Sequence, residues 1–280
     1  MAGQIVVAVD GSAPATAAVE WAAADARRRG RDLRIVHVCE QWPHSEAAEY
    51  CIGTLEAAAD RARELAGTVK VTTELLSGNA VDQLIDESAS ADSLVLGSRG
   101  LGGFAGLVVG SVSIAVAGHA AGPVIVVRAP RATEHGRVVV GYDGSEHSRA
   151  AMEYAVEQAR ARGAQLHVVS ALPVPIVSSY AAAAYIGMIE QAMQEESQAA
   201  RERVIPWRQG NPDLVITDGE SREHPVSALI AAAGTADLVV VGSRGRGGFA
   251  SAVLGSVSHG VLHHVACPVA VVRPRAGETS

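Results

Sequence analysis

GSRGLGGFAGLVVGSVS, from Gly97 to Ser113, returns as GSRGRGGFASAVLGSVS, from Gly242 to Ser258, shifted by 145 positions. Two flanking blocks repeat with it. IVVAVDGS (Ile5–Ser12) returns as VVVGYDGS (Val138–Ser145), shifted by 133, and GPVIVVR (Gly122–Arg128) returns as CPVAVVR (Cys267–Arg273), shifted by 145. Order is kept, so the second copy carries 12 additional residues between its first and second blocks. A repeat of roughly 140 residues is the size of a domain rather than of a solenoid unit. The 280 residues therefore read as two domains, 1–130 and 136–275, joined by the polar APRATEHG segment (Ala129–Gly136).

Within each copy the hydrophobic period alternates. Ile5–Val9 is a continuous β-branched run, as expected of a strand buried on both faces. Ala13–Arg29 has helical spacing, with Ser12 as its N-cap and Gly30 as its stop. Strands follow at Leu33–Cys39, Val69–Leu75, Ser93–Leu96 and Val124–Val127, separated by helices at Glu46–Ala66, Ala80–Ser90 and Gly110–His119. The second copy runs the same way, and its longer helical region (Ile176–Gln209) absorbs the 12-residue surplus. Strand–helix alternation predicts an α/β fold: a doubly wound, five-stranded parallel sheet per domain with helices on both faces. Such sheets bind ligands beyond the carboxyl ends of their strands, where the strand order reverses. That rule points to the loops after strands one and four, the segments that the repeat preserves best.

Composition narrows the function. Hydrophobic residues make up 48% and charged residues 19%, enough apolar material for a core. Aromatics are 4%, so that core is aliphatic. The net charge is −7, with 11 Lys+Arg against 16 Asp+Glu in residues 1–135 and 12 against 14 in residues 136–280, which argues against nucleic acid as partner. Gly100–Val127 lacks any charged residue and is long enough to span a bilayer. Its seven glycines, Pro123, and the Arg246, His259, His263 and His264 of its twin argue against a span. The N-terminus shows no secretory pattern, so a cytoplasmic protein is expected. Cys39, Cys51 and Cys267 are too few for a disulfide framework and read as small buried thiols in a reducing compartment.

The loop after strand four carries the chemistry. Gly97-Ser98-Arg99-Gly100 is followed by nine residues and then Gly110-Ser111 opening a helix; the second copy repeats this as Gly242-Ser243-Arg244-Gly245 and Gly255-Ser256. Glycines here let backbone N–H groups converge on an oxyanion. A helix N-terminus adds unpaired donors and the positive end of its dipole. Ser111, Ser113, Ser256 and Ser258 add hydroxyls, so the pattern reads as a phosphate cradle. It is not a P-loop, for there is no G-x-x-x-x-G-K-[ST] and Lys70 is the one lysine. Nor is there a G-x-G-x-x-G after the first strand or a G-x-S-x-G anywhere.

G-x2-G-x9-G-[ST], with V-D-G-S after strand one and a closing P-V-x-V-V-R strand, resembles the ATP-binding branch of the universal stress protein family. Two copies in one chain resemble the tandem form common in actinobacteria. The resemblance implies Rossmann-like domains of the adenine nucleotide alpha hydrolase type, with one ATP per domain and a divalent metal (Mg) held through its phosphates. It also implies a role in surviving stress, hypoxia or growth arrest. Carried over by position, it places Asp10, Gly11, Val38, Gly97, Arg99, Gly100, Gly110, Ser111, Val112 and Ser113 on the first nucleotide. Asp143, Gly144, Ala171, Gly242, Arg244, Gly245, Gly255, Ser256, Val257 and Ser258 fall on the second. Val38 is the implied contact to adenine, and Ala171 is smaller, so the second adenine is expected to pack more loosely. After Ser113, copy one (IAVAGHAAGPV) departs from the family pattern that copy two keeps.

Other features are weighed beside these. Asp10 and Asp143 end buried strands, where a carboxylate serves a ligand or caps the next helix. His259, His263 and His264 lack acidic or cysteine partners and read as surface or interface histidines. Arg244–Gly248 resembles a single RGG unit and reads as loop, and Thr217–Glu223 reads as a solvated turn. Strand five is an apolar edge in each domain, and pairing the two fifth strands would bury both edges. A homodimer of tandem chains and an unidentified protein partner are further expectations. Three functions remain: an ATP-binding regulator, a slow ATPase, and a nucleotide-independent chaperone or scaffold.

Overall fold

The computed structural model describes residues 3–39, 45–102, 108–130, 133–172, 179–247 and 253–275. Copy one comprises β1 (Ile5–Ala8), α1 (Ala13–Arg29), β2 (Leu33–Cys39), α2 (Ser45–Ala66), β3 (Val71–Ser77), α3 (Ala80–Ser90), β4 (Ser93–Gly97), α4 (Ser111–His119) and β5 (Val124–Val127). Copy two comprises β6 (Arg137–Gly141), α5 (Glu146–Arg162), β7 (Gln165–Ala171), α6 (Ser179–Gly210), β8 (Ile216–Ser221), α7 (Pro225–Ala233), β9 (Leu238–Gly242), α8 (Ser256–His264) and β10 (Val269–Val272).

The strands form one sheet in the order β3-β2-β1-β4-β5-β10-β9-β6-β7-β8. Each half is parallel and doubly wound, as its period requires. The halves meet through β5 and β10, antiparallel, with Ile125 opposite Ala270. The two apolar edges therefore cover one another, as expected from strands with no polar face. Closing arginines reinforce the seam: Arg128 donates to the Leu262 carbonyl at the end of α8, and Arg273 donates to the Gly118 carbonyl at the end of α4. Both guanidiniums thus meet helix C-termini, where carbonyls are left over.

Local signals set the helices. Ser12 and Ser145 accept from the N–H groups of Ala15 and Ser148, while Gly30 and Gly163 close α1 and α5 at φ 60° and 59°. Alternate strand residues feed two aliphatic layers. Ile5, Val7, Leu33 and Ile35 face α1 and α2, whereas Val6, Val36, Leu94 and Leu96 face the layer of α3 and α4. Copy two repeats both layers.

Three expectations need correction. The strand expected at Val69–Leu75 runs instead over Val71–Ser77, because Gly67 turns at φ 65° and Val69 still bonds back to Ala66. The charged stretch taken as a solvated turn is largely β8, an edge strand. Its Asp218 pairs with Arg208 and its Glu220 with Arg201, and such charges guard an open edge against further pairing. Cys39 and Cys51 are not separate thiols. They form a disulfide across β2 and α2, while Cys267 is buried apart from them. A separation of 12 residues in sequence gave no sign of this, since the contact depends on how α2 packs on β2.

Candidate functional site

In copy two the carboxyl ends of β6, β7 and β9 meet α6 around a cavity of about 850 Å³. One wall is apolar, built from Val169, Ala171 and Leu172 after β7, Leu229 of α7, and Ile189 and Met193 of α6. The opposite wall is the glycine loop and the first turn of α8, with Gly242, Arg244, Gly245, Gly255, Ser256 and Val257. The repeat places the corresponding residues of copy one at the ends of β1, β2 and β4. Residues 103–107 and 248–252 of the two nine-residue loops lie outside the described residues, as do Ile176–Ser178.

The first turns of α4 and α8 are the chemical core. Each begins at a glycine, Gly110 or Gly255, in extended conformation and with no side-chain cap. The glycine N–H donates to the carbonyl of Ser98 or Ser243 at 2.7 Å, which holds the loop against the helix start. The next donors are those of Ser111, Val112 and Ser113, and of Ser256, Val257 and Ser258. They face the dipole's positive end, an arrangement that suits an anion.

The aspartates brace this cradle. Asp143 accepts from the N–H of Ser145 at 2.9 Å and of Arg246 at 3.0 Å, so one carboxylate joins the β6 loop to the β9 loop. Asp10 does the same for Ser12 and Leu101, both at 3.0 Å. Helix capping itself falls to Ser12 and Ser145. Burial pushes the Asp143 carboxyl up, but hydrogen bonds from Ser145, Ser148 and Arg246 outweigh it and hold the group below its ordinary range. Gly11 and Gly144, at φ 86° and 81°, supply the left-handed turn that lets each aspartate fold back.

Several of the residues expected at the nucleotide also build the frame. A Cβ on Gly97 would lie 2.8 Å from the Ala15 nitrogen, and one on Gly242 would lie 2.7 Å from the His147 carbonyl carbon. These glycines admit the first turns of α1 and α5. Ser113 donates to the Gly97 carbonyl at 2.8 Å and Ser258 to the Ser243 carbonyl at 3.0 Å, so both buried hydroxyls are spent on the loop. Ser111 and Ser256 are exposed and remain on the cradle's open side, as do Arg99 and Val112. Val38 and Ala171 are half-buried at equivalent places in the α3 and α7 layers.

Sequence reasoning missed the α6 contribution. Glu196 pairs with Arg203 and Arg246, both at 2.9 Å, at the rim of the cavity. Those two arginines hold its carboxyl below the ordinary range. The single RGG unit thus serves the rim through Arg246. The 12-residue surplus of copy two was the available signal, since it lengthens the helix that carries these side chains. His147 on α5 bonds Ser243 Oγ at 2.9 Å, and burial with Arg244 and Arg273 nearby lowers its pKa. His259 and His264 are exposed on α8, and the rings of His259 and His263 lie 4.5 Å apart.

The fold and site define a class: a tandem pair of doubly wound α/β domains, each with a glycine-rich loop and an uncapped helix start at its switch point. The Universal stress protein family model matches residues 1–128 and 134–273. The chain belongs to this family. A universal stress protein of Mycolicibacterium smegmatis is 34% identical over 297 residues, covering 97% of both chains. One from Mycobacterium tuberculosis is 36% identical over 304 residues, covering 96% of this chain and 94% of its own. The crystal structure of a universal stress protein from Archaeoglobus fulgidus superposes with a TM-score of 0.76 over 98% of each chain, at 23% identity, which speaks to the fold alone. No helix among the described residues is long and apolar enough to cross a membrane.

Proposed function

We propose that this protein binds an adenine nucleotide, ATP in preference, in each copy and acts as a stress-response regulator rather than as an enzyme. The observation that carries this reading is the start of α8: a nine-residue helix with no side-chain cap, opening onto a cavity whose far wall is apolar. A flat apolar base fits the Ala171 and Leu229 wall, and a polyphosphate fits the uncapped N–H groups with Arg244 and Arg246 beside them. Magnesium would arrive with the triphosphate. Both oxygens of Asp143 are engaged by backbone N–H groups, which leaves phosphate and water oxygens as its ligands.

Fast hydrolysis finds no support in the described cavity. Asp143, its strand-end carboxylate, is tied to the backbone, and Glu196 is bound by two arginines, so neither is poised to activate water. The test is to denature the purified protein and resolve released nucleotide by ion exchange, then titrate stripped protein with Mg-ATP. About two equivalents of ATP per chain are expected. Failure to retain or rebind any adenine nucleotide would overturn the reading, and rapid release of phosphate would make the protein an enzyme.

A further inference from the structure

His37, Cys39 and Cys51 form a second cluster of reactive side chains, on the α2 face of the sheet. All three are buried, with exposures of 6%, 5% and 4%, and one ligand atom from each lies within 4.8 Å of the others. Among the described residues this is the only such grouping of histidine, cysteine or carboxylate side chains. His37 and Cys39 alternate on β2, so both point to the face that α2 covers with Cys51.

The histidine is already oriented. Its Nδ1 lies 2.6 Å from the Val9 carbonyl oxygen. A carbonyl only accepts, so Nδ1 carries a proton, and Nε2 is the ring nitrogen left to offer a lone pair to a metal. A ligating histidine is commonly fixed in this way through its other nitrogen. The fold does not need an imidazole for that bond. At the equivalent place in copy two, Ser170 donates to the Tyr142 carbonyl at 3.3 Å, and Leu172 stands where Cys39 does. Copy one thus carries a nitrogen and two sulfurs that its twin does without.

We propose that, with the Cys39–Cys51 bond reduced, His37, Cys39 and Cys51 bind a zinc-class divalent cation. Two thiolates and an imidazole are a donor set that zinc favours. The two thiolates also cancel the ion's charge, so the buried site carries no net charge of its own. Three protein donors leave the fourth tetrahedral position to solvent or an added ligand. The disulfide and the ion use the same sulfur electron pairs, so they are alternative states of one site.

Cobalt(II) is the probe. The full chain, reduced with a phosphine and freed of metal, is titrated with cobalt and then with zinc. One equivalent should produce thiolate-to-cobalt charge-transfer absorption and the strong visible bands of a four-coordinate ion, and zinc should abolish both. Cys39→Ser and Cys51→Ser should lose the charge-transfer signal, His37→Asn should weaken binding at least tenfold, and Cys267→Ser should change nothing. Unreduced wild-type protein, which keeps every residue, should give no signal and serves as control if a variant misfolds. The proposal is overturned if reduced wild type shows no thiolate absorption. It is equally overturned if unreduced protein or Cys51→Ser binds as well, which would place the ion elsewhere.

Discussion

Asp25 on α1 and Arg162 on α5 form an ion pair at 2.9 Å across the two copies, with the carboxylate fully buried. The repeat makes this contact instructive. Trp21, Asp25 and Arg29 correspond to Tyr154, Gln158 and Arg162. Arg162 lies over the Trp21 ring at 5.2 Å, and Arg29 lies over the Tyr154 ring at 6.0 Å. The aromatic and arginine pairs obey the pseudo-two-fold axis, but the central pair does not. Gln158 donates to Asp25 at 3.2 Å where perfect symmetry would set two carboxylates together. Divergence at this one position makes the copies complementary to each other rather than to themselves, which favours pairing within the chain.

Arg162→Ala should therefore destabilise the protein strongly. Removing one partner of a buried ion pair costs about 3–5 kcal/mol because the other charge is stranded. Arg29 remains 3.4 Å from Asp25, so the low end of that range, about 3 kcal/mol, is expected. Guanidinium unfolding should show an earlier midpoint for Arg162→Ala, and also for Asp25→Asn, which leaves the buried Arg162 side chain without that carboxylate. An unchanged midpoint for Arg162→Ala would show that the pair adds nothing to the interface.

Gly100→Ala and Gly245→Ala should each weaken nucleotide binding in their own copy only. The new methyl would run into the Asp10 carboxylate in copy one and lie 2.8 Å from Asp143 Oδ2 in copy two. Neither glycine has a positive φ, so the damage comes from displacing the aspartate that braces the loop. A loss of at least tenfold, about 1.4 kcal/mol, is expected at one of two sites by calorimetric titration with Mg-ATP. Equal loss at both sites would contradict the independence of the two braces.

Copy two should also be the more acid-sensitive half. Burial, together with Arg244 and Arg273, depresses the pKa of His147, and Pro14 stands at the equivalent position of copy one. A depressed histidine contributes stability that is complete above its unfolded value of 6.5. The contribution is lost as pH falls from there through the folded value. Wild type should therefore lose thermal stability below about pH 6.5 more steeply than His147→Gln. Parallel curves for the two proteins would remove His147 as the source.

The fold was legible because both periods are strong and the repeat shows them twice. Even the pairing of β5 with β10 follows from apolar edges that needed cover. The cradle was legible as a place, since its glycines recur at the switch point, but individual roles were not. Gly97 and Gly242 carry no mark that separates close helix packing from ligand approach. Ser113 and Ser111 differ only in which side of α4 faces the sheet. Asp143 reads as a ligand residue or a helix cap, and its role as a brace emerges only with the N–H of Arg246, 103 residues away, in place. The disulfide and the α6 rim were hidden for the same reason: both are contacts between elements whose mutual position the local pattern does not encode.

Glu196 offers the sharpest test of how the cavity in copy two is tuned. Its carboxylate occupies the guanidiniums of Arg203 and Arg246, and all three side chains line the rim. Glu196→Gln keeps the shape but removes the charge that competes with phosphate for those arginines. If the rim faces the polyphosphate, the variant should bind Mg-ATP about three- to tenfold more tightly, or 0.7–1.4 kcal/mol. The gain should shrink as salt screens the half-buried Arg203 and the exposed Arg246, whose attraction is electrostatic. Adenosine, which has no phosphate, should bind both proteins alike. A gain for adenosine equal to that for ATP would place the effect on the apolar wall, and no gain for either would show that the phosphates do not reach Arg203 and Arg246.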